Sequence, residues 1–510
     1  MPEPAPPGTP RMSEETAPSS LTGRVAQSAA WIVGARLVMR LFGFINTIVL
    51  ARLLVPQDFG VVAVATAAMQ LLHGFTDFGV SQAVIRFRDA DRAALDPLFT
   101  LSAIRGAAIA AILVALAPAM AAFYDDPRMF WVFVGVAAYP LLTGLINPAF
   151  YEFERDLDLS REFISSALNK LAGVVVSIAV AVTFRTYWAI ILGLAVNGAV
   201  QLGLSYLMRP YRPRLTFDGV KRVLGFSSWL FGVSVVTALN NKLDMFVVAR
   251  FAGPVGAGVY SVGTQIAELP TSEIAAPIAR AMFPGLSALQ GERGRVTEAY
   301  LRGVEALALV AMPAAFGFAF LAEDIVALLL GAQWGAAIPV IEFITPMLGV
   351  NTMLMATYYY AVAVGEARLV FWRELIFFIL RFPIFAWAAI EHGLTGIVYA
   401  ATATGMIRFA LNLAIFERVG ARPFWTPVWR ARRSFGAVAA MSAYFLLARP
   451  HFTALDGAPI LIRMAADALA GAAVYGAAQL ALWRMAGTPA GAESAIIDLA
   501  RRSFIRLRRA

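Results

Sequence analysis

The chain contains fourteen apolar stretches, most of them at least as long as the roughly 20 residues that a helix needs to cross a bilayer. They cover residues 26–51, 58–80, 97–122, 128–150, 162–183, 187–208, 224–250, 256–284, 297–321, 335–362, 368–390, 394–416, 433–449 and 460–484. Hydrophobic residues make up 59% of the sequence and charged residues only 15%, whereas about a quarter of a soluble domain is charged. The pattern predicts an all-α polytopic membrane protein with about fourteen transmembrane helices.

Lysine and arginine are concentrated in alternate loops between these stretches. Basic clusters occupy residues 209–222, 418–432 and 501–509, and basic loops tend to stay on the cytoplasmic side of a membrane. We therefore expect both termini to be cytoplasmic. The formal net charge of +9 is then explained by loops that face anionic lipid headgroups, and no nucleic-acid partner is expected.

One short motif occurs twice, as VLARLLVPQDFG at residues 49–60 and as VVARFAGPVGAG at residues 247–258. Ala51, Arg52, Pro56 and Gly60 return at a constant offset of 198 residues, which spans six predicted helices. The turn positions of this motif are Arg52, Pro56, Gly60, Arg250, Pro254 and Gly258. Because six helices return the chain to the same side, the two copies insert in the same orientation, as in transporters built from parallel repeats. The alternative is that the motif is only a common way to turn between two helices.

The repeat predicts two six-helix lobes followed by two further helices. The predicted divisions are a disordered tail at 1–22, a first lobe at 23–208, a linker at 209–222, a second lobe at 223–417, a basic loop at 418–432, the last two helices within 433–484, and a basic tail at 485–510. The opening tail is rich in Pro, Ser and Glu and has no apolar stretch, which is typical of disorder.

Basic and amide side chains inside the predicted spans indicate a water-filled cavity, because ionisable groups at membrane depth usually face a bundle interior. Arg36 and Arg40 lie one turn apart on the first span. The candidate cavity residues are Arg36, Arg40, Arg105, Lys170, Asn241, Lys242, Arg381 and Arg408. A cationic cavity suits a phosphate or pyrophosphate, which guanidinium binds through two parallel hydrogen bonds. For Arg105 and Lys170 the alternative is that the side chains extend to the inner headgroups.

Four carboxylates in the spans, Asp77, Asp244, Glu268 and Glu305, have two interpretations. They could couple transport to a proton or sodium gradient, or they could form ion pairs that hold arginines in place. No cofactor is expected. The sequence has no cysteine and only three scattered histidines, so it does not favour a metal site, and it has no phosphate-binding GxxxxGK[ST] motif.

The motif LARLLVPQDFG at residues 50–60, followed by DFGVSQAVI at 77–85, resembles the start of Wzx-type polysaccharide flippases in the multidrug/oligosaccharidyl-lipid/polysaccharide superfamily. The resemblance implies two lobes that form a V, alternating access, and transfer of a polyprenyl-pyrophosphate-linked oligosaccharide to the outer leaflet of the bacterial inner membrane. It also implies membrane lipids, a polysaccharide polymerase and glycosyltransferases as partners. The last two helices are similar to the extra pair of lengthened members, which is thought to form a groove on the lipid side.

On this interpretation the pyrophosphate pairs with Arg36 and Arg40, the sugars sit in water between the lobes, and the polyprenyl tail stays in the bilayer. Two alternative functions are a cation-coupled multidrug exporter of the same superfamily and a membrane glycan polymerase or ligase. The first is expected to have acidic and aromatic cavity residues, and the second a large outer loop, whereas the outer loops here are short. A third alternative is a scaffold in an envelope-synthesis complex.

Overall fold

The computed structural model describes residues 39–76, 92–155, 159–218, 228–272, 292–451, 457–489 and 491–494. Every regular element in those ranges is a helix, and the same ranges contain no β-strand. The all-α class predicted from the sequence is therefore confirmed. The predicted N-terminal tail, the end of the 209–222 linker and most of the basic C-terminal tail lie outside the described residues.

The first half of the chain, residues 39–218, is a series of antiparallel helices. Within the described residues α1 occupies 39–53, and it is followed by α2 (Pro56–Phe75), α3 (Arg92–Tyr124), α4 (Arg128–Val136), α5 (Ala138–Gly144), α6 (Glu152–Arg155), α7 (Leu159–Phe184) and α8 (Trp188–Met208). Proline begins α2, a position where its missing N–H costs nothing because the first amides of a helix have no partner within the helix.

The second half, residues 228–451, is also built of helices and is followed by one more. Its helices are α9 (Ser228–Phe251), α10 (Gly253–Ala267), α11 (Arg293–Phe320), α12 (Ala322–Ile325), α13 (Ile338–Thr352), α14 (Thr357–Ala363), α15 (Ala367–Gly420), α16 (Thr426–Arg430) and α17 (Arg432–Ala443), and α18 (Ile460–Met485) comes after them. A π-helical turn, Val326–Leu330, connects α12 to the segment that precedes α13.

The long helix α15 is in fact two helices that meet at Gly393. The backbone there has φ 56° and ψ −136°, a conformation open to glycine and strongly disfavoured for other residues. Immediately after the turn, a Cβ added to Gly396 would lie 2.2 Å from the carbonyl oxygen of Ala388, so the two halves leave the turn in close contact. The sequence-based division into spans 368–390 and 394–416 falls at this turn.

Seven helical segments in the described part of the chain are long and apolar enough to cross a membrane. They are Pro56–Phe75, Leu95–Tyr124, Ser160–Phe184, Trp188–Met208, Arg293–Phe320, Ala332–Ala363 and Ile460–Met485. The protein is therefore a multi-pass membrane protein. The number fourteen and the division into two lobes and two added helices stay predictions.

The largest buried apolar cluster joins the two halves of the chain. Val61 and Val64 of α2 share it with Val259 and Ile266 of α10, and each of the four is at most 1% exposed. Trp334, fully buried in the same cluster, contacts Phe59 edge to face with ring centroids 5.2 Å apart. In lipid there is little hydrophobic drive for helices to associate, so close packing of this kind holds them together.

Gly60 of α2 and Gly258 of α10 form the closest approach between the two halves, and we call it the glycine contact. A Cβ added to Gly60 would lie 1.8 Å from the carbonyl oxygen of Pro254, and one added to Gly258 would lie 1.7 Å from that of Pro56. The contact is thus reciprocal, because each glycine faces the proline in the first turn of the other helix. Any larger side chain would overlap backbone atoms, so this separation of the helices requires glycine at both positions.

Arg52, in the last turn of α1, crosses to the second half of the chain at the same end of the bundle. Its Nε donates to the carbonyl oxygen of Leu329 at 3.1 Å, and its Nη2 donates to those of Ala327 and Leu328. These are carbonyls of the last turn of Val326–Leu330, where a cation is favoured because the final carbonyls of a helix have no partner within it.

Other contacts at this end also join the two halves. The indole Nε1 of Trp334 donates to the carbonyl oxygen of Ala51 at 2.8 Å. From the second half, Arg250 stacks on the ring of Phe123 in α3, with its Cζ 5.4 Å from the ring centroid. Arg52 and Arg250 therefore each reach the opposite half, but with different chemistry. The predicted orientation places this end of the bundle on the outer side of the membrane.

Replacing Gly60 by valine is expected to separate α2 from α10 and to open the outer end. Because the chain has no cysteine, Ser261→Cys, one turn beyond the glycine contact on α10, can report the opening. A membrane-impermeant thiol reagent added from outside should label this cysteine several-fold faster in the Gly60→Val background. Gly203→Val is the matched control, because a Cβ at Gly203 would meet nothing within 4 Å. Equal labelling rates in the folded proteins would contradict the role of the glycine contact.

Replacing Arg52 by leucine is expected to favour the open outer end more than replacing Arg250 does. Hydrogen bonds from a charged donor contribute about 1.5–3 kcal/mol, whereas an exposed cation–π contact contributes about 0.5–1 kcal/mol. The labelling rate of Ser261→Cys should therefore rise by about tenfold or more with Arg52→Leu, and only a few-fold with Arg250→Leu. The reverse order would show that the carbonyl contacts of Arg52 do not hold this end closed.

Candidate functional site

A cavity of about 400 Å³ lies between the two halves of the chain. Its lining comes from α2, α9, α10, α13 and both halves of α15, and its volume falls within the roughly 300–1,000 Å³ of typical ligand pockets. On α2 the lining begins at Ala63 and on α10 at Tyr260, just beyond the glycine contact. The glycine contact thus separates the cavity from the outer end of the bundle.

Arg381 brings a guanidinium to the cavity from the first half of α15. Its Nη2 donates to Oδ2 of Asp244 at 3.0 Å, and its Nη1 donates to the carbonyl oxygen of Asn240. The same guanidinium stacks on Phe385, with its Cζ 4.6 Å from the ring centroid, and lies 5.6 Å from the centroid of Phe377. The charge is therefore compensated on one side by a carboxylate and on the other by aromatic faces, which lowers the cost of placing it at membrane depth.

Arg408, from the second half of α15, brings another guanidinium to the same cavity. Its Nη2 lies 3.1 and 3.3 Å from the two carboxylate oxygens of Glu374. Its Cζ lies 4.7 Å from the centroid of Phe377, so this ring contacts both cavity arginines. The two halves of α15 are antiparallel neighbours, and for this reason residues 27 positions apart in sequence meet at one depth.

Glu374 is almost completely buried behind the cavity lining and is held by several donors. Arg373 donates to Oε1 of Glu374 and, through Nη1, to Oδ1 of Asn412 at 2.8 Å. The amide of Asn240, from α9, donates to Oε2 of Glu374 at 2.9 Å. A buried carboxylate requires such pairing, because an isolated charge in a low-dielectric interior is very costly.

The remaining predicted cavity residues of α9 and α10 also lie in the lining. Asn241 and Lys242 of α9 face the same space as Glu268, which follows α10. The hydroxyl of Tyr260 donates to Oδ2 of Asp244 at 3.0 Å, so this carboxylate has a second donor besides Arg381. The segment NNKLD at 240–244 thus supplies amide, basic and acidic groups to one cavity.

The formal charges around the cavity leave a surplus of one positive charge. Lys242, Arg381 and Arg408 line it together with the carboxylates of Asp244 and Glu268. Directly behind the lining, the buried pair of Arg373 and Glu374 adds one charge of each sign. An anionic group entering the cavity would meet guanidinium forks that are already oriented, which is the arrangement that binds phosphate through paired hydrogen bonds.

Four other residues predicted from the sequence lie elsewhere in the described structure. Arg105 donates to Thr76 Oγ1 at 3.1 Å and to the carbonyl oxygen of His73 at 3.2 Å, so it joins α3 to α2. Lys170 lies against Gly43 of α1, with Nζ 3.8 Å from where a Cβ on that glycine would be.

Arg40 of α1 is exposed. Glu305 forms an ion pair with Arg430 at 3.1 Å, which agrees with the ion-pair interpretation of this carboxylate. Two further predicted residues, Arg36 and Asp77, lie outside the described residues. For Arg36, Arg40, Arg105, Lys170 and Asp77 a role in the cavity stays a prediction.

Glu374, Arg373 and Phe377 were not predicted from the sequence. Glu374 is a carboxylate inside the predicted span 368–390, and that position alone could have identified it. Arg373 lies near the start of the same span, where a basic residue is readily interpreted as part of a cytoplasmic loop. Phe377 carries no sequence signal beyond its spacing of four residues from Arg373 and Arg381, which places the three on one helix face.

The described residues contain no group of three or more His, Asp and Glu side chains that could hold a metal ion. The side chains that line the cavity offer hydrogen bonds, fixed charges and aromatic faces. Such a set of groups binds and orients a ligand.

Comparison with known proteins gives a consistent family. The profile of the polysaccharide biosynthesis protein family matches residues 49–339, more than half of the chain. The succinoglycan biosynthesis transport protein ExoT of Rhizobium meliloti is 24% identical over 464 residues, which cover 88% of this chain and 92% of ExoT. The lipopolysaccharide biosynthesis protein WzxC of Escherichia coli is 24% identical over 333 residues, which cover 64% of this chain and 67% of WzxC.

Among solved structures, the lipid II flippase MurJ in an inward closed conformation superposes with a TM-score of 0.71. The match covers 88% of this chain and 98% of MurJ at 13% sequence identity, so it shows a shared fold. The family profile covers more than half of the chain and includes both sides of the glycine contact, and on these grounds the chain belongs to the family of polysaccharide biosynthesis proteins.

Proposed function

We propose that this protein is a flippase that moves a polyprenyl-pyrophosphate-linked oligosaccharide from the inner to the outer leaflet of the bacterial inner membrane. It is a transport protein and not an enzyme. The observation that carries the proposal is the cavity between the two halves of the chain, with Arg381 and Arg408 at membrane depth. The names of ExoT and WzxC, a transport protein and a lipopolysaccharide biosynthesis protein, support the same function.

The two cavity arginines account for the pyrophosphate. Guanidinium stays charged at every relevant pH and presents a rigid fork that matches phosphate oxygens. Arg381 and Arg408 contact the same ring of Phe377, so one diphosphate group can reach both. The proposal therefore assigns the headgroup to the second half of the chain, in addition to the predicted pair Arg36 and Arg40.

The amide and hydroxyl groups of the cavity account for the sugars. Gln70, Gln265 and Asn351 come from three different helices and line the same space, and such groups replace the water that a sugar loses on binding. The polyprenyl tail stays in the bilayer, because transfer of an apolar chain into a polar cavity would expose it to water. Membrane lipids and the lipid-linked oligosaccharide are thus the partners of the protein.

Alternating access follows from the position of the glycine contact. Transporters with two related lobes expose a central site to one side at a time as the lobes rock. In this proposal the chain has fourteen spans, two lobes, an added pair of helices and both termini in the cytoplasm, and breaking the glycine contact exposes the cavity to the outer side. Coupling to a proton or sodium gradient through Asp244 or Glu268 stays a prediction.

Neutralising either cavity arginine is expected to weaken binding of farnesyl diphosphate, a short isoprenyl diphosphate, to the purified full-length protein. Loss of charge-assisted hydrogen bonds costs about 1.5–3 kcal/mol, so Arg381→Gln and Arg408→Gln should each raise Kd by about tenfold or more. Arg408→Lys keeps the positive charge but lacks the planar guanidinium, so its Kd should lie between those of the wild type and Arg408→Gln. Arg295→Gln, which removes an exposed pair with Glu292, is the control. Unchanged Kd in both cavity variants would refute the anion site.

Deleting the gene is expected to leave a lipid-linked oligosaccharide on the cytoplasmic leaflet, measured by mass spectrometry of extracted lipids. The wild-type gene should remove this accumulation, and Arg408→Gln at the same protein level should not. Complete rescue by Arg408→Gln would favour a scaffold without transport. Hypersensitivity to cationic drugs with no accumulated lipid would favour a multidrug exporter.

A further inference from the structure

We infer that Arg373, which lies outside the cavity lining, is a positioning residue that makes Arg408 available to the anionic headgroup. The inference rests on the proposed function, because it assigns a role within the same site. It is carried by the way in which one buried carboxylate, Glu374, is shared between two guanidinium groups. The contacts, the exposure and the charge of this cluster each support it.

The two arginines hold Glu374 with unequal contacts. Arg373 donates to Oε1 and is itself fixed by Asn412, whose Oδ1 lies 2.8 Å from its Nη1. Arg408 approaches with a single nitrogen, at 3.1 and 3.3 Å from the two oxygens, which is longer than the usual charge-assisted bond. Arg373 is therefore the firmly bound partner of Glu374, and Arg408 is the loosely bound one.

Exposure follows the same order. The side chain of Arg373 is 11% exposed and that of Glu374 is 5% exposed, whereas that of Arg408 is 33% exposed and lines the cavity. A ligand in the cavity can reach Arg408 directly and cannot displace the buried pair behind it. The guanidinium that is loosely held is thus the one that a ligand meets.

Arg373 also explains the surplus positive charge of the site. Arg381 is paired with Asp244, and the cavity lining places Lys242 together with Glu268, so each of these sets is formally neutral. Arg408, Glu374 and Arg373 together carry one excess positive charge. Without Arg373 the pair of Arg408 and Glu374 would be neutral, and an anionic headgroup would have to compete with Glu374 for the same guanidinium.

With Arg373 in place, Arg408 can exchange partners without leaving a buried charge unpaired. When Arg408 turns to the headgroup, Glu374 keeps Arg373 and the amide of Asn240, which donates to it at 2.9 Å. When the headgroup leaves, Arg408 returns to Glu374. Such an exchange allows the headgroup to bind and to be released, which a transport cycle requires of its binding site.

The test measures the Kd of farnesyl diphosphate for the purified full-length variants. Arg373→Gln should raise Kd by about tenfold, because Glu374 then holds Arg408, and Glu374→Gln should lower Kd a few-fold, because nothing holds it. Both changes remove the buried ion pair of Arg373 and Glu374, so both should lower Tm. A merely structural role would move the two Kd values in the same direction, and that result would overturn the inference.

If Glu374→Gln does not fold, the double variant Arg373→Gln with Glu374→Gln tests the inference. It restores the net charge of the cluster and should bind at least as tightly as the wild type, whereas binding as weak as that of Arg373→Gln would overturn the inference. The dependence of log Kd on log salt should be shallower for Arg373→Gln and unchanged for the control Arg422→Gln, which removes an exposed pair with Glu298. If the wild type and Arg408→Gln bind farnesyl diphosphate with equal Kd, the proposed function fails. If only the inference about Arg373 fails, Arg408→Gln still binds more weakly than the wild type.

Discussion

The close approach of α2 and α10 at Gly60 and Gly258 is the constraint on which the rest of the structure depends. In a bilayer, helices gain little by hiding apolar surface from one another, so contact distance decides which helices stay together. Because each glycine faces the carbonyl of the opposite proline, the two halves of the chain are held at a very short separation at this end. The cavity lies further along the same helices, where their polar and charged side chains line the space between them.

Charge at membrane depth is the second constraint, and the structure meets it by pairing. Arg381 and Arg408 each contact a carboxylate and an aromatic ring. An unpaired guanidinium at the bilayer centre would make its helix costly to insert, whereas a fully satisfied one would have nothing to offer a ligand. A paired but partly exposed arginine lies between these limits, which suits a site that must bind and then release.

The sequence was sufficient for the parts of the fold that depend on local composition. Apolar length and loop charge predicted the helices and the class, and the turn at Gly393 falls where two predicted spans meet. In the site, residues of the NNKLD segment were predicted because amide and charged groups stand out in an apolar span. Glu374 could have been identified as a carboxylate in an apolar span, but the roles of Glu374 and Arg373 depend on contacts between α9 and the two halves of α15, and a single sequence does not show such distant contacts. For the same reason the sequence could not identify the partners of Arg105 and Glu305. In the structure Arg105 contacts Thr76 at the end of α2, and Glu305 pairs with Arg430.

The two halves of the chain share the outer contact but not the binding groups. At the offset of 198 residues, Arg52, Pro56 and Gly60 have identical counterparts, whereas Glu374 and Arg373 correspond to Val176 and Val175. Arg408 likewise corresponds to Pro210. In the proposed transport cycle the two halves of the chain move apart. The contact between them benefits from equivalent surfaces, because both sides must separate in the same step. A binding site has no such requirement, and placing its charges on one side lets the headgroup stay with α15 while α2 moves away from it. The unequal distribution of these groups is therefore compatible with a reciprocal contact, and in the proposed function it lets the second half of the chain hold the headgroup through Arg381 and Arg408, in addition to the predicted pair Arg36 and Arg40.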